Sequence, residues 1–383
     1  MGMLELIKLS LWNNADSNMS VSEEDYNDMK MHAILALPAK HLSHLGLSPE
    51  LKAKWRDDIL QQMSFYTKNA DAQYNLPVTV PYTVLKGSTA AQYYPCPEYR
   101  TMGDIDIITH TEDFDTAYQQ LLDGGYQVIK EESREIAFGK DGVVVELHRQ
   151  FAALNNVEQS KFLDDLIIES INPAHILPDP VNGLVLLEHI NQHLEYGLGL
   201  RQIIDWMMFA DKCIEGEKWD QYLDLTDKIG LKTLTVTVAG ICETYLGYKP
   251  RNFTVDKDDE LCRQLMDYIL SNGDFGCKLT ADADTSIKIF SNVKTPKMAF
   301  RLLQEQGLLN WKAANKYKAL RPFAWLYQLC RYISRGLKRE RAITKIREEY
   351  SAGKKWNAMF DRLGIKRAAK GIAIYKDGKY VKK

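Results

Sequence analysis

The amino-acid sequence predicts an α+β fold in which a mixed sheet with flanking helices is enclosed by helical segments. Apolar residues recur at helical spacing over residues 1–75, strand-like alternation dominates residues 76–155, and helical spacing returns over residues 156–335. The remaining segment, 336–383, is basic and ends in YKDGKYVKK. We therefore expect an N-terminal helical segment, a strand-containing core, a helical domain and a basic C-terminal tail, with these boundaries.

The N-terminal segment is predicted to form two long helices. Ser20 or Ser22 can cap a helix that extends to His44, and Ser48 followed by Pro49 starts another. The apolar face of that second helix consists of Leu51, Trp55, Ile59, Met63 and Tyr66.

The core is predicted to contain five strands, with one helix between them. The predicted strands are Leu76–Leu85, residues 104–109, Tyr126–Glu131 and two apolar runs on either side of Asp141-Gly142, and the helix runs from Thr111 to Gly124-Gly125. Asp-Gly between two alternating runs is a strong hairpin signal. A short helix capped by Ser88 or Thr89 is expected to continue through Tyr94, where Pro95 ends it.

Beyond residue 155 the spacing of apolar residues is helical. The predicted helical segments are 181–197, 201–214, 218–247, 257–271 and 295–335. Residues 335–383 hold sixteen Lys or Arg against five Asp or Glu. Such a basic segment can attract RNA, although a solvated helix face is the commoner explanation for it.

Composition excludes several classes of protein. The net charge is −2, so it favours no particular partner, and the six cysteines form no CxxC pair, which favours reduced core thiols. No apolar run approaches the roughly 18–20 residues that span a bilayer, and the N-terminus lacks the pattern of a secretory signal. We expect a cytoplasmic protein without a membrane partner. GxxxxGK[ST] and GxGxxG are absent, and Ile190 replaces the glutamate that a HExxH zinc site would need between His189 and His193.

The stretch KGSTAAQYYPCPEYRTMGDIDI, residues 86–107, carries the most specific chemistry. Asp104 and Asp106 are two positions apart on a strand and point to one face, while Ile105 and Ile107 point to the other. Two neighbouring carboxylates repel each other unless a cation neutralises them, and Mg2+ or Mn2+ suits their oxygen ligands.

Three further features strengthen this interpretation. Glu146 is an acid within the apolar strand VVVELH and can complete a metal site with the two aspartates. Gly87 and Ser88 form a turn suited to phosphate, to which Lys86 and Arg100 can add positive charge. Asp-x-Asp alone is most often a solvent-facing strand edge, and Gly-Ser alone is nearly always a turn. The combination of Gly-Ser, then Asp-x-Asp, then an acid on a later strand is far less common by chance than either motif alone.

These residues resemble the nucleotidyltransferase superfamily with the DNA polymerase beta-like fold, whose pattern is Gly-Ser, Asp-x-Asp and a later acid. The segments VLKGS, YYPCPEYRTMGDIDI and VVVELH are similar to a bacterial family of uncharacterised nucleotidyltransferases. The resemblance implies that Gly87 and Ser88 hold the triphosphate of a nucleoside triphosphate. It further implies that Asp104 and Asp106 bind two metal ions and that Glu146 binds the catalytic one.

Four residues outside that pattern are further candidates. His148, on the same strand face as Glu146, can touch phosphate or acceptor or serve as a structural hydrogen-bond partner. HINQHLEYGLGLRQIIDW is similar to a His, Arg and Asp segment of the same family, which implies that His193, Arg201 and Asp205 line the cleft. Arg201 and Asp205 can equally form an ion pair one helical turn apart.

The leading hypothesis is a metal-dependent nucleotidyltransferase that transfers a nucleoside monophosphate to an unidentified acceptor hydroxyl or phosphate. A catalytically silent nucleotide-binding module is the second hypothesis. The third is a toxin-like, RNA-modifying transferase whose basic tail binds nucleic acid.

Overall fold

The fold is described from a computed structural model of the chain. It describes residues 2–13, 21–154, 156–274, 317–338, 343–365, 373–376 and 379–382, with isolated positions between 297 and 314. Two compact units are present, Met1–Lys278 with Leu363–Lys383, and Leu279–Arg362. Among the described residues, none of the helices combines the length and the apolar content needed to cross a membrane.

Three helices begin the first unit: α1 (Gly2–Trp12), α2 (Glu23–Met31) and α3 (Pro49–Tyr74). Ser22 caps α2 and forms a capping box with Asp25, while Ser48 caps α3 by accepting from the Leu51 amide. The helix predicted to reach His44 ends much earlier, at Met31, because Ala33 has a positive φ of 56° and turns the chain into a 3-10 segment, Leu37–His41. Ser20 lies outside the described residues.

A five-stranded sheet forms the core of the first unit. Its strands are β1 (Tyr82–Val84), β2 (Ile105–Thr109), β3 (Gln127–Glu131), β4 (Glu135–Lys140) and β5 (Val143–His148), in the spatial order β1-β2-β5-β4-β3. β2 and β5 pair in parallel and the other pairs are antiparallel, so the predicted α+β fold with a mixed sheet and flanking helices is confirmed. The first strand is much shorter than Leu76–Leu85, because Pro77 and Pro81 offer no N–H to a neighbouring strand.

The hairpin between β4 and β5 turns at Asp141 and Gly142, whose φ angles are 50° and 75°. Two successive positive φ angles characterise the tight hairpin turn that Asp-Gly favours. The helix α5 (Phe114–Asp123) connects β2 to β3 and begins one turn later than predicted, because a 3-10 turn, Thr111–Asp113, precedes it. Its buried face packs with the isoleucines and valines of the strands in one hydrophobic cluster.

Helices follow the sheet. They are α6 (Val157–Glu169), α7 (Val181–Tyr196), α8 (Leu200–Cys213), α9 (Lys218–Lys228), α10 (Lys232–Tyr245) and α11 (Asp259–Asn272). The long predicted segment 218–247 is two helices, because Gly230 has a positive φ of 72° and ends the first of them. Ten of the fourteen residues of α8 are buried, so this helix lies in the interior of the helical layer.

The second unit contains a 3-10 segment (Lys318–Phe323), α12 (Ala324–Lys338) and α13 (Ile343–Arg362). Much of the predicted helix 295–335 lies outside the described residues. The segment predicted as a basic tail includes α13 and a hairpin of β6 (Ala373–Lys376) and β7 (Lys379–Lys382). Leu363 and Ile365, between these elements, are buried, so part of that segment is folded.

Candidate active site

Two parallel strands at the centre of the sheet bring the acidic residues together. In the β2–β5 pairing Asp106 lies opposite Glu146, and His148 follows two residues later on β5. Paired positions of neighbouring strands project to the same face, so all three side chains lie on one side of the sheet. We call Asp106, Glu146 and His148 the acid cluster.

Distances within the acid cluster are short. The Nε2 atom of His148 lies 2.9 Å from Asp106 Oδ1 and 3.7 Å from Glu146 Oε2. One ligand atom from each of the three residues lies within 4.8 Å of the others, which is close enough for a single cation to be shared. Oδ2 of Asp106 is buried, and the Lys86 ammonium, 3.1 Å away, is the partner that the structure shows for it.

Lys86 and Asp104 border the acid cluster. The Lys86 ammonium lies 3.1 Å from Asp106 Oδ2 and 3.9 Å from Asp104 Oδ1. Asp104 directly precedes β2 and its side chain is more exposed than that of Asp106. Asp104 is therefore at the solvent side of the site, and Lys86 is the cation that balances both aspartates in this state of the protein.

The acid cluster and Asp104 carry more acidic groups than the nearby Lys86 can neutralise. Burial favours the protonated form of Asp106, but Lys86 and His148 hold the pKa of its carboxyl far below the ordinary value. Burial opposes the charge of Lys86 as well, but the surrounding carboxylates raise its pKa above the ordinary value. For Glu146, burial and the charges of Asp104 and Asp106 raise the pKa to about 9. Glu146 is therefore protonated at neutral pH, and a divalent cation would supply the positive charge that allows it to ionise beside the two aspartates.

The turn at Gly87 follows β1 and adjoins the acids. Gly87 has φ of 69°, and a side chain there would contact Met102 Cε at 3.4 Å and the Asp104 carbonyl at 3.7 Å. The helix that follows, α4 (Ser88–Ala91), has four residues and no side-chain cap. Predicted capping by Ser88 or Thr89 does not occur, because the Ser88 hydroxyl donates instead to Gln73 Oε1 at 2.7 Å. The first N–H groups of this helix have no carbonyl of a preceding helical turn that could accept their hydrogen bonds.

The guanidinium of Arg100, for which the sequence proposed a phosphate contact, is engaged by a carboxylate of the protein. Its guanidinium forms a bidentate ion pair with Asp205 of α8, with Nε–Oδ1 and Nη2–Oδ2 distances of 2.7 Å each. Tyr94 donates to the same carboxylate at 2.7 Å. Both members of the pair are almost completely buried, so Arg100 and Asp205 join the loop before β2 to α8.

The helices α7 and α8 carry a second group of polar side chains, His189, His193 and Arg201, which we call the helical wall. The rings of His189 and His193 lie one helical turn apart with centroids separated by 4.5 Å. Arg201 pairs with Asp274 at 3.3 Å, so the predicted ion pair between Arg201 and Asp205 does not form. Asp205 instead pairs with Arg100 of the loop before β2, and both side chains are buried there.

Two polar residues of the site escaped the sequence analysis. Glu135 lies opposite His148 in the β4–β5 pairing, and its carboxylate is 3.6 Å from His148 Nδ1. The only sign of this contact in the sequence is that Glu135 begins the strand that pairs with VVVELH. Asp274, which follows α11, reaches Arg201 and the Gln202 amide, and no local pattern predicted this contact.

A family model described as "Uncharacterised nucleotidyltransferase" matches residues 26–247, more than half of the chain. The matched range includes every site residue named above except Asp274. No curated protein and no solved structure matches the chain significantly.

Proposed function

The chain belongs to the uncharacterised nucleotidyltransferase family, and we propose that it transfers a nucleoside monophosphate from a nucleoside triphosphate to an acceptor hydroxyl or phosphate. The observation that carries the proposal is the acid cluster. Asp106, Glu146 and His148 converge on one face of two parallel strands, next to the Gly87 turn.

The residues present fit a divalent cation. Two carboxylates and an imidazole offer ligand atoms within 4.8 Å of one another, and the Lys86 ammonium already occupies a cation position 3.1 Å from Asp106 Oδ2. The raised pKa of Glu146 supports the same conclusion, because a cation would remove the repulsion that raises it. We propose that Asp104, Asp106 and Glu146 hold Mg2+ or Mn2+, with His148 contributing a ligand atom or orienting Asp106.

Nucleotidyl transfer requires that an acceptor oxygen attack the α-phosphorus while the bond to the bridging oxygen breaks and pyrophosphate leaves. A divalent cation supplies charge stabilisation for the phosphate oxygens in this reaction. Glu146 is the group we assign to accept the proton of an acceptor hydroxyl, because a bound cation would lower its raised pKa and leave it as a carboxylate that can take up a proton. Gly87 and Ser88 are assigned to the triphosphate, and Lys86 to neutralising its negative charge beside Asp106.

Label transfer from radioactive nucleoside triphosphates tests the proposal. The full-length protein is incubated with Mg2+, each of the four nucleotides and a cell extract, and both pyrophosphate release and the labelled fraction are measured. We expect transfer by the wild-type protein, loss of transfer in Asp106→Asn, and unchanged transfer in Asp115→Asn, an exposed position on α5. Transfer that persists in Asp106→Asn would exclude the proposed site.

A further inference from the structure

The Gly87 turn continues into α4, a helix too short to hold its own position. Its backbone bonds close on the turn itself, since the amides of Ala90 and Ala91 donate to the Gly87 carbonyl at 3.2 and 3.0 Å. A helix of four residues is not stable in isolation, so neighbouring elements must fix where it lies. The same contacts therefore fix where Gly87 and Ser88 lie.

Asn182, the second residue of α7, provides one such contact. Its side chain is completely buried, and its amide nitrogen donates to the Thr89 carbonyl at 3.2 Å and to the Tyr93 hydroxyl at 2.9 Å. The Tyr93 hydroxyl donates in turn to Asp179 Oδ1 at 2.6 Å. Because a carbonyl and a carboxylate can only accept, this chain of bonds determines that the amide nitrogen of Asn182 faces α4. One amide thus binds both α4 and the turn that follows it.

Helices α3 and α8 hold the same segment at its two ends. Ser88, the first residue of α4, donates to Gln73 of α3 at 2.7 Å, and Tyr94 donates to Asp205 of α8 at 2.7 Å. The bonds from Asn182 lie between these two points. The position of α4 between its ends therefore depends on the amide of Asn182.

We propose that Asn182 is a positioning residue for the triphosphate: by holding α4, it keeps Gly87 and Ser88 where they meet the phosphate groups. This inference rests on the proposed nucleotidyl transfer, in which these two residues are assigned to the triphosphate. Asn182 itself acts from a distance, since it is completely buried and donates to groups of the protein. Its replacement should weaken nucleotide binding and leave the acid cluster intact.

Replacement of Asn182 by leucine separates this role from a contribution to stability. Oδ1 of Asn182 is buried and accepts no hydrogen bond from the described residues, so the amide already carries an unsatisfied acceptor. Leucine has a similar shape and removes that acceptor, which offsets the loss of the two donated bonds. The Thr89 carbonyl still accepts from Gln92 Nε2 at 2.8 Å, and Tyr93 still donates to Asp179. Asn182→Leu should therefore fold, while α4 loses its hydrogen bond to α7.

Calorimetry on the full-length protein with Mg2+ tests the inference. The probes are inorganic tripolyphosphate and non-hydrolysable analogues of the four nucleoside triphosphates. In Asn182→Leu we expect the affinity for tripolyphosphate and for the analogues to fall about tenfold, as for the loss of one hydrogen bond to a charged group. Tyr93→Phe removes the partner hydroxyl but keeps the bond from Asn182 to the Thr89 carbonyl, so the affinity should fall only about threefold.

Two measurements separate positioning from a general loss of structure. Mg2+ should raise the melting temperature of Asn182→Leu as much as that of the wild-type protein, because no residue of the acid cluster belongs to α4. In label transfer, KM for the nucleotide should rise while kcat stays close to the wild-type value, because the loss is one of binding.

Thr235→Val is the matched control. It removes a buried hydroxyl that donates to the Leu231 carbonyl at 2.9 Å in α10, a helix that carries none of the site residues named above. This variant loses a buried hydrogen bond as Asn182→Leu does, but it should keep wild-type affinity for tripolyphosphate and for the analogues.

Four outcomes overturn the inference: wild-type affinity for tripolyphosphate in Asn182→Leu, an equal loss of affinity in Thr235→Val, loss of the Mg2+ effect on melting in Asn182→Leu, or no tripolyphosphate binding by the wild-type protein. Unchanged affinity in Asn182→Leu, together with label transfer that depends on Asp106, would reject the positioning role and leave the proposed function intact. Tripolyphosphate binding that depends on Asn182, without any label transfer by the wild-type protein, would support the positioning role and reject the function instead.

Discussion

The sheet and the helices of the first unit both bury charged side chains, but they satisfy these charges differently. Arg100 and Asp205, which link the loop to α8, neutralise each other through two hydrogen bonds. In the acid cluster, Lys86 balances Asp106, while burial and the neighbouring aspartates raise the pKa of Glu146 to about 9. The buried ion pair of Arg100 and Asp205 thus supports the fold, whereas the acid cluster, whose charges are not balanced, is available for a ligand.

The largest effect is expected from Glu146→Gln. Removing this carboxylate should lower kcat by at least about 10³-fold, because several kcal/mol of charge stabilisation and a proton acceptor are lost together. Single-turnover pyrophosphate release measures the effect, with Glu112→Gln at an exposed position as the control. A variant within tenfold of the wild-type rate would show that the cluster is not catalytic.

The second prediction concerns the free energy of unfolding and the buried ion pair of Arg100 and Asp205. Asp205→Ala should lower the free energy of unfolding by about 3–5 kcal/mol, because it leaves the Arg100 charge buried without a partner. Urea unfolding measures this loss. Arg263→Ala breaks an exposed pair with Glu260 and should cost no more than about 1 kcal/mol. Equal costs for the two variants would contradict the contrast between buried and exposed pairs.

The third effect comes from the divalent cation. Mg2+ at about 100 times its dissociation constant should stabilise the wild-type protein by about 2.7 kcal/mol, since it binds the folded state only. Asp106→Asn should remove most of this stabilisation, while Asp205→Asn should keep it despite a lower starting stability. Melting temperatures of the three proteins are measured with Mg2+ and with EDTA, and stabilisation retained in Asp106→Asn would locate the cation elsewhere.

The last prediction concerns the pH dependence of the metal-free protein. Because folding raises the pKa of Glu146 from 4.5 to about 9, its contribution to stability is fully present below pH 4.5 and is lost as the pH rises through 9. Glu146→Gln should therefore show a flatter fall in stability over this interval in EDTA. The measurement is urea unfolding at several pH values, and parallel curves for the two proteins would be evidence against the raised pKa.

The sequence predicted much of this molecule because its signals are local. Asp141-Gly142 predicted the β4–β5 hairpin, alternation predicted that Glu146 and His148 share a strand face, and helical spacing predicted α7 and α8. The polar partners were not predictable in the same way. Arg100 lies 105 residues from Asp205 along the chain, and no local periodicity carries information about that contact.

By itself, the sequence determined the element types and a stretch of acids in a strand that is otherwise apolar, since both follow from side-chain periodicity and the cost of burying charge. Tertiary structure decided which charges meet. The parallel pairing of β2 with β5 places Asp106 opposite Glu146, and the packing of α8 against the loop engages Arg100 with Asp205. Packing therefore decides that Arg100 and Asp205 neutralise each other and stabilise the fold, whereas the acid cluster remains available to a ligand. The reason is that charges neutralise each other only when they are close in space, whatever their separation along the chain.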